Sequence, residues 1–244
     1  MSEPTKPMAD LPHTTSTAPV PLPPGLRARI LADATTRAPS KGDATRLLAL
    51  VAAGAVWVGL RASVEGVRAD WTTLPFSATW VPLVDAVATA VLVTALALSR
   101  GRSMVGPSAR ALWAAALAPV LISLTVILLA VRSDATDAAA LAAFGGRYWA
   151  AIATCETEAM MVGVPVTLLL VAAQRRLVFA SPALVGAAAG IAAGSWSHAI
   201  LHRACPMGSD AGHVLLGHAA PTLPLAAIGA LAAWAIDRRN LRKR

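Results

Sequence analysis

The chain has 244 residues, of which 56% are apolar and only 14% are charged, and its mean hydropathy is +0.61. Charged residues make up about a quarter of a typical soluble domain, so this composition excludes an ordinary soluble protein and indicates a membrane protein. The net charge of +8 comes from small basic clusters between apolar runs. That pattern fits membrane topology and argues against direct nucleic acid binding, which uses a continuous basic surface.

The first 45 residues differ in composition from the rest. Residues 1–24 are rich in Pro, Ser and Thr and are predicted to be disordered. They do not read as a signal peptide, because no apolar segment follows their charges before Leu47. Residues 25–36 are predicted to form a short helix with Leu26 and Ile30 on one stripe. A helix this short is unstable alone, so we expect it to fold on a partner or on the bilayer surface.

From residue 45 onward, apolar runs recur at close to the length of about 20 residues that a bilayer crossing needs. We therefore predict an all-α fold, a six-helix transmembrane bundle with a disordered cytoplasmic N-terminal tail. The membrane domain covers 46–236, and a basic tail, 237–244, follows it. The predicted spans are 45–65, 80–99, 109–131, 149–173, 181–203 and 213–236.

The segments that connect these spans alternate in charge. The connections 99–110 and 174–182 carry arginines without an acidic residue, and the tail 237–244 is strongly basic. The intervening connections balance acidic and basic residues. By the positive-inside rule, both termini are predicted to be cytoplasmic.

The side chains that could carry chemistry gather at the predicted outer ends of the spans. Residues 198–218 hold four of the five histidines and one of the two cysteines. The other cysteine, Cys155, stands beside Glu156 and Glu158 near the start of the fourth span, and Asp85 lies near the outer end of the second. Ionisable groups at membrane depth are candidates for a functional site. The alternative is that all of them are simply solvated at the level of the lipid headgroups.

The spacing of these residues leaves a metal site open. His198, His202 and Cys205 are at positions i, i+4 and i+7, hence on one face of a helix. Two thiols with imidazoles and carboxylates suit zinc or another thiophilic metal. The residues that could complete such a site are Cys155, Glu156, Glu158, His213 and His218.

A disulfide or a reversible thiol pair between Cys155 and Cys205 is the other interpretation, because disulfides persist on the outer side of a membrane. Cys155 is predicted to lie about two turns inside its helix and Cys205 just beyond the end of its own. Their depths could therefore differ, which disfavours a permanent bridge. The sequence has no C-x-x-C motif, which argues against a quinone-coupled thiol oxidase.

Two other classes of function rank lower. Ser195 or Ser197 with His218 loosely resembles the Ser/His dyad of rhomboid proteases, but the motif G-S-W-S departs from their Gly-x-Ser-Gly. The glycines at 186, 190 and 194 are better explained by close helix packing. A transporter needs polar groups across the bilayer midplane, whereas here they stop in the outer leaflet, so transport ranks second to signalling. We predict that the protein is not an enzyme.

The second half of the chain carries an ordered set of motifs. Cys155 opens a span that contains Pro165, and the inner loop Q-R-R-L-V-F-A-S-P follows at 174–182. The small-residue run G-A-A-A-G-I-A-A-G then occupies 186–194, and L-H-R-A-C-P occupies 201–206. In this order the motifs resemble the NrsF family, six-span membrane anti-sigma factors that regulate extracytoplasmic-function sigma factors in bacteria.

The resemblance implies that Cys155 and Cys205 are a cysteine pair that senses oxidants or thiophilic metals from the periplasmic side. It also implies a location in the bacterial cytoplasmic membrane, with an extracytoplasmic-function sigma factor held at the cytoplasmic face. A two-state bundle would release this partner when the signal arrives. Candidate contacts for the sigma factor are Leu26, Ile30, Arg100, Arg102, Arg175 and Arg176.

Overall fold

The computed structural model describes residues 25, 28–29, 32–33, 41–98, 108–130, 141–142, 144–175 and 181–242. Across these ranges the chain is helical or turns between helices and contains no strand, so the predicted all-α fold is confirmed. The predicted disorder of residues 1–24 lies outside the described ranges. So do five of the predicted sigma-factor contacts: Leu26, Ile30, Arg100, Arg102 and Arg176.

Six long helices are described. They are α1 (Lys41–Glu65), α2 (Phe76–Leu98), α3 (Ala109–Ala130), α4 (Tyr148–Ala173), α5 (Pro182–Ala204) and α6 (Thr222–Arg242). The predicted sixth span is not one uniform helix, since a short helix (Ala211–His213) and a π-helical turn (Val214–Ala219) precede α6. Five segments are long and apolar enough to cross a membrane, the last running from Ala211 to Asn240. α3 has 22 residues, and its apolar stretch is Val120–Leu129.

α5 lies at the centre of the bundle, where it packs against α2, α4 and α6. Its Ala- and Gly-rich sequence makes a slender helix that neighbouring backbones can approach closely. A Cβ on Gly186 would lie 2.0 Å from the carbonyl oxygen of Gly229, and one on Gly190 would lie 2.2 Å from that of Leu225. Contact between the backbones of α5 and α6 therefore accounts for the glycine run.

The two ends of the bundle differ chemically. We call the end that holds Cys155 and Cys205 the thiol end, and the opposite end, which holds Arg46 and Arg175, the arginine end. At the arginine end, Arg46 Nη2 donates to a carbonyl near the end of α4 at 2.8 Å, and Asn240 Nδ2 donates to the Arg175 carbonyl at 2.6 Å. These bonds tie α1 and α6 to the end of α4. The side chain of Arg175 is exposed there.

Gly186→Ala is expected to force α5 and α6 apart, because the added methyl group would overlap the Gly229 carbonyl. Overpacking of this kind costs about 1–3 kcal/mol, so the thermal unfolding midpoint of the purified protein should fall. Gly59→Ala in α1 is the matched control, since a Cβ at Gly59 meets nothing within 4 Å. Equal midpoints for the two variants would contradict the packing role of Gly186.

Candidate functional site

Two thiols and two imidazoles meet at the thiol end. The ligand atoms of Cys155, Cys205, His213 and His218 all lie within 4.8 Å of one another, and the four side chains are buried. The two Sγ atoms are 3.5 Å apart, and Nε2 of His213 is 3.3 Å from Sγ of Cys205. Both cysteines are free thiols. We call these four residues the thiol–imidazole cluster.

The two cysteines meet although they come from different levels of their helices. Cys155 lies two turns inside α4, whereas Cys205 caps the end of α5. The expected difference in depth is removed because the chain after α5 turns back into the bundle. Cys205 and Met207 are both buried, at 5% and 3% exposure.

A buried arginine holds this inward turn in place. Nη2 of Arg68, in the connection between α1 and α2, donates to Oγ of Ser209 at 2.7 Å, and Nε lies 2.8 Å from the Asp70 carboxylate. The backbone N–H of Arg68 donates to the Arg203 carbonyl at 3.0 Å. Gly208 leaves room for the guanidinium, since a Cβ there would lie 2.3 Å from Nη1. We call this set of contacts the Arg68 latch.

A second tie fixes the start of the next helical segment. Oδ1 of Asp210 accepts hydrogen bonds from the Tyr148 hydroxyl at 3.0 Å and from the backbone N–H of His213 at 2.8 Å. Asp210 is thus the N-cap of the short helix that begins at Ala211. The Arg68 latch and Asp210 together hold residues 205–213 against the bundle.

His213 and His218 face the same side because the helix between them is a π turn. Residues five apart in an α-helix point in directions that differ by about 140°. In the π turn Val214–Ala219 hydrogen bonds instead join residues five apart, as from the N–H of Ala220 to the carbonyl of Leu215 at 2.9 Å. The two histidine ring centroids are consequently only 5.2 Å apart.

The sequence around the π turn explains where it forms. Pro221 lacks the N–H that an α-helix would direct at the Gly217 carbonyl, so regular α-helical bonding is interrupted there. Gly217 also allows the turn to lie against α4, because a Cβ at this position would be 3.2 Å from the Cβ of Cys155. These two residues bring the imidazoles to the thiols.

The geometry of the cluster fits a tetrahedral metal ion. Zinc at about 2.3 Å from sulfur and 2.0–2.1 Å from nitrogen keeps its ligand atoms about 3.3–3.8 Å apart. The two separations of 3.5 Å and 3.3 Å fall within that range. Both ring nitrogens of His218 are buried, and its ring approaches the Cys205 thiol without a hydrogen bond of normal geometry. Buried polar atoms are normally satisfied, so one nitrogen of His218 is suited to bind a metal ion, as is Nε2 of His213, which faces Cys205.

Hydrogen bonding lowers the pKa of Cys205. The largest contribution comes from the Cys155 thiol, and His213 adds to it, while burial acts in the opposite direction. The thiolate is the form that binds metal ions and reacts with oxidants. The surroundings of Cys205 therefore favour the form of the thiol that either reaction needs.

Two of the predicted ligands, Glu156 and Glu158, lie outside the cluster. Glu156 is exposed, whereas the cluster is buried. Glu158 pairs with Arg61, which also pairs with Glu65. Neighbouring residues on a helix point in different directions, so proximity to Cys155 in the sequence did not bring the carboxylates to the thiols.

The other two predicted ligands, His198 and His202, form a row that leads away from the cluster. The ring of His198 meets that of His218 edge-on at 5.9 Å between centroids, and it stacks on His202 at 6.1 Å. Nε2 of His202 lies 3.1 Å from the carbonyl oxygen of Ala78 and 3.2 Å from that of Thr79. This nitrogen is therefore engaged by α2 and is not directed at the thiols.

The two serines considered as nucleophiles are hydrogen bonded to carbonyl groups of the helices. Oγ of Ser195 donates to the Ile191 carbonyl at 3.0 Å, and Oγ of Ser197 lies 3.0 Å from carbonyls on α4 and α5. Within the described ranges neither serine hydrogen bonds to His218. The arrangement does not provide a nucleophile with a base.

Comparison with known proteins identifies the family. The family model NrsF, "Negative regulator of sigma F", matches residues 31–238, from the predicted N-terminal helix almost to the end of α6. No curated protein and no solved structure matches the chain. The match extends the resemblance seen in the second half over the first half as well. The chain therefore belongs to the NrsF family of negative regulators of sigma F.

Proposed function

We propose that this protein is an integral-membrane anti-sigma factor that holds an extracytoplasmic-function sigma factor at its arginine end. It releases this partner when the thiol–imidazole cluster captures a thiophilic metal ion or is oxidised. Family membership supports the sigma-factor partner, and the apolar helices support the membrane location. We place the protein in the bacterial cytoplasmic membrane with both termini cytoplasmic, on the charge pattern of its connections.

The observation that carries this proposal is the convergence of four soft ligands in a buried site. Two thiols and two imidazoles come from α4, from the end of α5 and from the segment before α6, and their ligand atoms lie within 4.8 Å. A packing role does not require imidazole nitrogens that lack partners. A metal ion would satisfy one nitrogen of each imidazole and join three separate segments.

Either signal would contract the thiol end. A disulfide requires the two Sγ atoms to close from 3.5 Å to about 2.05 Å. Metal capture would also pull His213 and His218 toward the thiols and thus move the segment before α6. The two imidazoles make metal capture the broader change, since a disulfide involves only α4 and the end of α5. A signal that stabilises the contracted state shifts a two-state bundle toward it.

Rigid helices supply the connection to the partner. α4, and α6 together with the helical segment before it, run from the thiol end to the arginine end, where Asn240 bonds to the Arg175 carbonyl. A displacement of either helix at the thiol end would therefore reach the face proposed to hold the sigma factor. Transport ranks second, because the buried ionisable side chains of the described ranges all lie toward the thiol end.

We expect the purified full-length protein in nanodiscs to bind one Cd²⁺ or Zn²⁺ ion per chain. Cys205→Ser or His218→Ala should weaken binding by about 100-fold or more, because loss of even a residue that supports a ligand costs 10–100-fold. Competition with a chromophoric chelator measures the affinity. Glu156→Gln is the control and should bind as the wild type does. Equal affinity for all four proteins would refute a metal site in the cluster.

In a reporter strain, added metal or oxidant should activate sigma-dependent transcription through the wild-type protein. The double variant Cys155→Ser, Cys205→Ser should keep the sigma factor bound and leave the reporter off. Without the two thiols the thiol end can neither form a disulfide nor bind the metal ion, so it does not contract. Glu156→Gln should respond normally. Full induction in the double variant would rule out the cysteine pair as the sensor.

Deleting residues 1–40 and changing Arg100, Arg102, Arg175 and Arg176 to Gln should weaken sigma-factor binding, since both changes alter the proposed cytoplasmic face. Co-purification with the tagged sigma factor from membranes tests this. Arg147→Gln, which removes a single arginine at the thiol end, is the control for charge loss on the opposite face. Unchanged co-purification would mean that the partner is bound elsewhere.

A further inference from the structure

A proline leaves α2 with a carbonyl group that its own helix cannot satisfy. Pro82 lies inside α2 and has no N–H, so the carbonyl of Ala78, four residues earlier, lacks its α-helical donor. His202 of α5 takes the place of that donor, with Nε2 at 3.1 Å from the Ala78 oxygen and 3.2 Å from the Thr79 oxygen. Because carbonyl oxygens only accept hydrogen bonds, Nε2 of His202 carries the proton and donates it.

His202 is also the far end of the histidine row. His213 meets His218 edge-on at 5.2 Å, His218 meets His198 edge-on at 5.9 Å, and His198 stacks on His202 at 6.1 Å. His213 in turn lies 3.3 Å from Sγ of Cys205. One line of ring contacts therefore joins the thiols to the Ala78 carbonyl, which Pro82 leaves without its α-helical donor.

The row has room to move. Close-packed interiors hold side chains in one arrangement, but a cavity of about 250 Å³ borders His198. Its walls come from α2, α3, α5 and the segment around the π turn, and they include Thr89, Ser123, Ser195, Leu216 and Thr222. His198 is thus the member of the row that is not close-packed on every side.

We infer that His202 is the positioning residue that couples the thiol–imidazole cluster to α2. A metal ion that draws His213 and His218 toward the thiols shifts the row, withdraws His202 from the Ala78 carbonyl and lets α2 bend at Pro82. Proline-freed backbone groups depend on neighbouring side chains for their hydrogen bonds, so the bend responds to this one donor. The inference rests on the proposed function, because it takes the cluster as the sensor.

Because Pro82 lies near the start of α2, a small change in the direction of the helix there displaces its far end by several ångströms. From Pro82 to Leu98, at the arginine end, α2 extends for about 24 Å, so a change of about 10° in the bend moves that end by about 4 Å. The connection 99–110, which carries the predicted sigma-factor contacts Arg100 and Arg102, follows directly. α2 is thus a second route from the cluster to the partner, besides α4 and α6.

The test compares the wild type with His202→Leu, His202→Gln and Pro82→Ala as full-length proteins in nanodiscs. Hydrogen exchange of the segment 76–85, measured with and without Cd²⁺, reports on the bend without any need for the sigma factor. Cd²⁺ should raise exchange in the wild type. In His202→Leu the metal affinity should stay within about threefold, but the Cd²⁺-dependent change should fall by about threefold or more, as expected for a residue that carries coupling.

The two remaining variants separate coupling from a loss of structure. His202→Gln keeps a side-chain N–H donor and should retain the Cd²⁺ response, which a merely packed ring would not predict. Pro82→Ala restores the N–H to the Ala78 carbonyl, so adding His202→Leu in that background should cause no further loss of response. If His202→Leu fails to bind Cd²⁺, the His202→Gln and Pro82→Ala proteins decide the question in its place.

The outcomes distinguish the inference from the function on which it rests. The coupling through His202 is overturned if His202→Leu keeps the exchange response of the wild type. It is also overturned if His202→Leu reduces the Cd²⁺ response equally in the wild-type and Pro82→Ala backgrounds. A wild-type protein whose α2 responds to Cd²⁺ through His202, but whose sigma factor stays bound, upholds the coupling and overturns the proposed function. A wild-type protein that binds no Cd²⁺ overturns the coupling and the metal-capture form of the proposed function, and leaves only release by oxidation.

Discussion

The close approach of α5 to α6 is the contact on which the rest of the structure depends. The two backbones touch at Gly186 and Gly190, where no side chain larger than hydrogen fits. This contact places α5 at the centre of the bundle, so that its end faces α4 on one side and the π turn on another. Inside a membrane no hydrophobic force drives helices together, and such packing is what brings them into register. The thiols and imidazoles meet because these helices meet.

The parts of the site that follow from helix length and composition could be predicted from the sequence. The apolar runs indicated an all-α bundle, and the glycine spacing indicated a packing surface. The gathering of histidines and cysteines at one end followed from the positions of the runs. These features depend on local spacing alone, which one sequence displays in full.

The parts that depend on interrupted helical bonding could not be predicted in this way. Spacing arguments assume an α-helix, in which His213 and His218 point about 140° apart, and the π turn brings them together instead. Pro221 and Gly217 carried a signal for that turn, but a proline in a span is compatible with several local geometries. The same assumption placed His198 and His202 with Cys205, although the chain leaves the helix at Cys205 and turns toward α4. The Arg68 latch that causes this turn comes from a distant part of the chain.

The Arg68 latch has a consequence for how fast the site fills. All four ligand atoms are buried, and residues 205–213 are held over them by Arg68 and Asp210. If the cluster binds a metal ion as proposed, the ion reaches the thiols only when this segment opens, so the rate of local opening, and not diffusion, would limit capture and loss. Slow exchange of this kind would make the proposed site respond to sustained exposure and ignore brief fluctuations in metal concentration. The contact between the buried Arg68 side chain and Ser209 would thus set the response time of the protein, separately from its affinity.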